Sequence, residues 1–80
     1  MPSYILCLDQ GTTGSTALVL DESLTVLGKA NREFQQHFPR PGWVEHHLDQ
    51  IWESMQKAIA DVLEKTRIDP KQIACIGITN

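Results

Sequence analysis

The run Leu8-Asp9-Gln10-Gly11-Thr12-Thr13-Gly14-Ser15 holds the residue types whose spacing could do chemistry. Asp9 ends an apolar segment, Tyr4 to Asp9, where an unpartnered buried carboxylate would be costly. A partner is therefore expected, and a hydrated Mg²⁺ is one good candidate. The glycines flanking Thr12 and Thr13 make a turn, and Gly11 lets the backbone bend and approach a ligand closely. Successive N–H groups in such a turn can converge on one point as an anion nest, and Thr12, Thr13 and Ser15 add hydroxyl donors. A carboxylate beside a nest suits a metal–polyphosphate complex: one part takes the cation, the other the phosphate oxygens. The bland alternative is a plain hairpin turn with Asp9 capping it. A Walker A loop is excluded, since no Lys follows the second glycine and no helix follows the turn.

The elements around the run must hold it in place. Tyr4 to Asp9 reads as a strand covered on both faces, and Cys7 as a buried free thiol within it. Ser15 to Leu20 is a second strand, β-branched and apolar. After a polar turn at Asp21 to Ser23, a third strand over Leu24 to Phe34 is interrupted at Gly28, with a polar later half that suits a sheet edge. Pro39, Pro41 and Gly42 make 35–45 a loop. Leu48, Ile51, Trp52, Met55, Ile59, Val62 and Leu63 recur at spacings of three and four, which predicts a helix from Leu48 to about Thr66 with that stripe against the sheet. Asp69-Pro70 ends the helical region, and Ile73 to Ile78 is a last buried strand carrying Cys75. The order is β-β-β-α-β. With a right-handed helical crossover the sheet order is 3-2-1-4, the first strand central.

Composition narrows the partners. The chain has 80 residues, 41% hydrophobic and 21% charged, with a net charge of −3. There is no basic stripe for nucleic acid. No apolar run has the roughly 18–20 residues of a membrane span. No secretory leader precedes the first strand, so a reducing, cytoplasmic setting is expected. His37, His46 and His47 lack accompanying ligand spacing and read as loop or cap residues; Trp43 reads as a loop anchor, and Trp52 and Met55 as core.

On a first hairpin, Leu8-Asp9-Gln10-Gly11-Thr12-Thr13-Gly14-Ser15 resembles the phosphate motif of the sugar-kinase, Hsp70 and actin superfamily, and within it the FGGY carbohydrate kinases. The run Phe38-Pro39-Arg40-Pro41-Gly42-Trp43-Val44-Glu45-His46, followed by Ile51-Trp52, is similar to the glycerol kinases among them, as is Ile76-Gly77-Ile78-Thr79-Asn80. The resemblance implies an α/β, ribonuclease-H-like (actin-like ATPase) half-domain, with residues 1–80 the N-terminal part of the first of two domains. It implies ATP and Mg²⁺ as cofactors, glycerol as acceptor and a homo-oligomeric parent enzyme. Asp9 would hold Mg²⁺; Gly11, Thr12, Thr13 and Gly14 would cradle the β- and γ-phosphates; Thr12 would also lie near the product phosphate. The catalytic base is expected beyond residue 80, so the chain alone is expected to be inactive. Gly14 and Thr16 depart from the family pattern, where Ser and Arg are frequent, and His47-Leu48 replaces Asp-Pro at the helix start. Rival readings are a xylulose, gluconate or ribulose kinase, a nucleotide-driven protein of the Hsp70 or actin type, and a ribonuclease-H-like nuclease. The last would need further carboxylates, and Ile73 to Ile78 offers none.

Overall fold

A computed structural model describes residues 3–11, 13–33 and 48–79. Three strands run first: β1 (Tyr4–Gln10), β2 (Gly14–Leu20) and β3 (Val26–Glu33). They are followed by helix α1 (Leu48–Thr66), a short 3-10 turn (Pro70–Gln72) and β4 (Ile73–Thr79). The sheet order is β3-β2-β1-β4, with β1 antiparallel to β2 and parallel to β4. This is the order expected from the sequence, and it makes β1, the strand that delivers Asp9, central.

The register explains which side chains share a face. Leu6 pairs with Val19 and Leu8 with Ala17, and Ala17 in turn with Ala30; these point at α1. From the helix, Met55, Ala58 and Val62 meet them, and Ile68 closes the cluster. The β2–β3 register slips between Val19 and Leu20, leaving Leu27 as an extra residue beside Gly28. Gly28 is fixed by packing. A Cβ there would collide with the Thr66 side chain, so helix and strand approach as closely as a bare glycine allows. The preceding turn runs longer than expected and β3 starts at Val26, not Leu24: Leu24 belongs to the turn, with φ of 64°, and Asp21 Oδ1 accepts from the N–H groups of Ser23 at 2.8 Å and Thr25 at 3.0 Å. After α1, Arg67 takes the left-handed conformation with φ of 57°, and Asp69 caps the 3-10 turn in a reciprocal capping box with Gln72.

Three expectations are corrected here. First, the full apolar stripe of α1 does not face the sheet. The buried face is Ser54, Met55, Ala58 and Val62, while Leu48 and Trp52 are exposed. Among the described residues the helix packs chiefly over β2 and β3, and the stripe is wider than the surface it covers. Second, β4 is not a buried strand: every residue from Ala74 to Thr79 is exposed, including Ile76 and Ile78 on the helix side of the sheet. Third, β1 is covered on one face only, by the helix side, and Cys7 on its other face is only partly buried. Cys75 is exposed; both thiols are free. The expected loop at 35–45, with Trp43, and all three histidines lie outside the described residues, as does Phe34.

One ion pair ties the edge strand to the helix. Arg32 on β3 grips Asp61 through two hydrogen bonds, Nε to Oδ2 at 2.5 Å and Nη2 to Oδ1 at 3.1 Å. The hydrogen bond from Arg32 leads in holding the Asp61 carboxyl below its ordinary value, with the charges of Arg32, Lys65 and Lys57 assisting and burial opposing. A carboxyl whose folded pKa is depressed contributes stability above its unfolded value and loses it as pH falls through the folded one. The urea midpoint should therefore decline below about pH 4, and Arg32→Gln should flatten part of that decline. The effect is small because both groups are solvent-exposed. Urea titrations of both proteins from neutral pH into the acid range would check it.

Candidate functional site: the β1–β2 hairpin

Residues Gln10 to Ser15 close the β1–β2 turn because Gln10 pairs with Ser15 and the Gly11 N–H donates to the Gly14 carbonyl at 2.9 Å. That bond changes the donor set imagined from sequence. The Gly11 N–H is committed within the hairpin and does not point at a ligand, so its contribution is to shape the loop. Thr13 is exposed, and its hydroxyl bonds no described residue. Gly14 is buried against β3; a Cβ there would stand 2.7 Å from the Arg32 carbonyl oxygen and 3.0 Å from the Glu33 Cα. Glycine at 14 is thus required by the close passage of the edge strand, where a serine would force β3 to shift. Thr12 lies outside the described residues.

Asp9 is exposed at the end of β1, contrary to the buried position expected for it. No described residue donates a hydrogen bond to its carboxylate or pairs with it. An acidic group at a strand end with all its lone pairs open to solvent fits a hydrated Mg²⁺, which is bound by one or two carboxylates plus substrate phosphates. Among the described residues no group of three or more His, Cys, Asp or Glu comes together, so a fully protein-made metal cage is not present there.

The register adds residues that the sequence reading passed over. Asp9 pairs with Thr16 on one side and Thr79 on the other, and Thr16 pairs with Asn31. These four form one polar row across all four strands, on the face away from α1. Asn31 Nδ2 donates to Thr16 Oγ1 at 2.6 Å. The next rows on that face are largely apolar: Leu18 with Cys7, then Leu20 with Ile5. Polarity therefore concentrates at the hairpin end of the sheet, beside Asp9. Counting outward from the turn would have paired Asp9 with Thr16 in the sequence. Asn31 and Thr79 needed the β2–β3 slip and the parallel β1–β4 register.

The model of the N-terminal domain of the FGGY family of carbohydrate kinases matches residues 4–80. The chain belongs to that family. A protein described as glycerol kinase from Listeria monocytogenes is 58% identical over 77 residues, covering 96% of this chain and 16% of its own length. One of the same description from Thermococcus onnurineus is 50% identical over 80 residues, covering 100% of this chain and 16% of its own. The crystal structure of Plasmodium falciparum glycerol kinase with ADP superposes with a TM-score of 0.82 at 26% identity, over 99% of this chain and 16% of that one. The fold is thus that of the FGGY kinases, in agreement with the actin-like half-domain inferred from the sequence. The chain spans about one-sixth of the length of these relatives, 16%.

Proposed function

We propose that this chain is the N-terminal part of the first domain of an ATP-dependent glycerol kinase, which converts ATP and glycerol to sn-glycerol 3-phosphate and ADP. The observation that carries the reading is the match to glycerol kinases at 58% identity along almost the whole chain. The hairpin geometry supports it: an open carboxylate, Asp9, stands at the base of a glycine-shaped turn with exposed Thr13. In this reading Gly11, Thr12, Thr13 and Gly14 line the β- and γ-phosphates, and Thr12 also meets the product phosphate. Gly11 acts through loop shape, because its N–H bonds Gly14. Asp9 holds Mg²⁺, which when bound neutralises the polyphosphate charge.

The in-line attack of a terminal glycerol hydroxyl on the γ-phosphorus also needs a base and an acceptor pocket. Residues outside this chain supply both, along with the second domain. Phosphoryl transfer depends on groups from both walls of a cleft held in register, so the 80-residue chain alone should turn over no glycerol. Among the described residues no helix is long and apolar enough to cross a membrane. We place the parent enzyme in the cytoplasm as a homo-oligomer.

A substrate panel tests the assignment. In the full-length protein carrying this chain, ADP release should be fastest with glycerol, by at least roughly tenfold in kcat/KM over xylulose, gluconate and ribulose. A higher kcat/KM for any of the sugars would replace glycerol with that substrate and leave the family membership untouched.

A further inference from the structure

Ser15 and Ser54 are the buried polar residues among those described, at 0% and 5% exposure, and they meet at the base of the hairpin. Their hydroxyl oxygens lie 2.7 Å apart, and the Ser15 hydroxyl also lies 3.0 Å from Gln10 Oε1. Gln10 Nε2 in turn donates to the Gly11 carbonyl at 3.3 Å. When Ser15 gives its one hydroxyl proton to Gln10, the Ser54 proton can close the serine pair, in which either hydroxyl can be the donor. With the Ser54 proton on the Ile51 carbonyl at 2.8 Å, the Ser15 proton goes either to Ser54 or to Gln10.

The bonds therefore run from α1 through β2 and β1 to the first backbone carbonyl of the turn. Elsewhere on that face of β2 stand Ala17 and Val19, so apolar side chains fit against α1 there. A pair of buried hydroxyls at this one position calls for polar partners, and Gln10 Oε1 and the Ile51 carbonyl are the acceptors within reach.

We infer that Ser54, Ser15 and Gln10 form a positioning relay that fixes the Gly11 peptide and couples the hairpin to helix α1. It deepens the phosphate-hairpin reading, on which its catalytic consequence rests. The relay touches no ligand; it sets the plane of the peptide at which the loop turns and protects the Gly11 N–H bond to Gly14.

Amide hydrogen exchange on the 80-residue chain, with Ser54→Ala, Gln10→Ala and the double variant, tests it directly. Each single change should speed Gly11 exchange by roughly three- to tenfold, with the amides of β3 and β4 unmoved. The double variant should go no further than the larger single, since both cut one chain of bonds. Unchanged Gly11 exchange, additive effects, or an equal rise across β3 and β4 would overturn the relay. In the full-length kinase, Ser54→Ala should raise KM for Mg·ATP several-fold more than it lowers kcat, and Ser54→Thr should restore it. A wild-type KM in Ser54→Ala would overturn the coupling to nucleotide. Asp9→Asn should leave Gly11 exchange as it is, so a failure of the phosphate reading shows in Asp9 and a failure of the relay shows in Gly11.

Discussion

Replacing Asp9 by asparagine should lower phosphoryl transfer in the full-length kinase by a factor of roughly 10³, comparable to losing a main electrostatic contact to the transferring group. Asparagine keeps the shape and removes the charge. Since no described residue bonds the Asp9 carboxylate, the fold should not notice, and the melting temperature should stay within a degree or two, about the effect of a neutral surface change. The sign reverses without the metal. Metal-free ATP meets one negative charge fewer in the variant, so its affinity should hold or rise while that of Mg·ATP falls. Isothermal titration with and without Mg²⁺ separates the two. Equal losses for both forms would mean that Asp9 acts on the loop and not through a cation.

The second large effect concerns two residues that the register makes neighbours. Leu8 and Ile78 pair across the parallel β1–β4 ladder and point to the same side of the sheet. Leu8 is 7% exposed beneath α1, while Ile78, on the edge strand β4, is 75% exposed. Leu8→Ala should therefore cost about 2–5 kcal/mol. At roughly 0.05–0.15 kcal/mol per residue, that is a large share of what so short a chain has, and the urea midpoint should drop sharply. Ile78→Ala should stay within about 0.5 kcal/mol in the same 80-residue chain. Urea midpoints would read both. Similar losses at the two positions would mean that β4 is covered in solution.

The contrast also locates what the sequence could and could not say. Alternation, glycine placement and the i, i+3, i+4 stripe were enough for four strands, one helix and the sheet order. Local chemistry decides those features, and right-handed crossovers limit the rest. Trp52 shows the limit. Periodicity reports which side of a helix is apolar, and the stripe is wider than the arc that β2 and β3 can cover. Ser54 shows the reverse case: a hydroxyl on the sheet side is invisible to an apolar pattern, yet it is buried and bonded to Ser15. At the site, residue types identified Asp9 and the turn. The Gly11 N–H bond to Gly14, the open position of Asp9 and the polar row through Thr16, Asn31 and Thr79 depend on register, which residue types do not carry.

The pairing of Tyr4 with Ile73 joins residues far apart in the sequence, and this bears on the order in which the sheet assembles. The β1–β2 and β2–β3 pairings close short spans, so the meander can form early at little entropic cost. The central parallel ladder must wait until the residues between β1 and β4 have been gathered, because long-range pairing bears the loop-closure cost before any contact repays it. The rate-limiting nucleus is therefore expected in the meander and the helix that docks on it, with β4 added afterwards; φ-values near zero for β4 substitutions would check it. On that order the hairpin proposed to hold phosphate would be finished before the strand that brings Thr79 alongside Asp9 arrives.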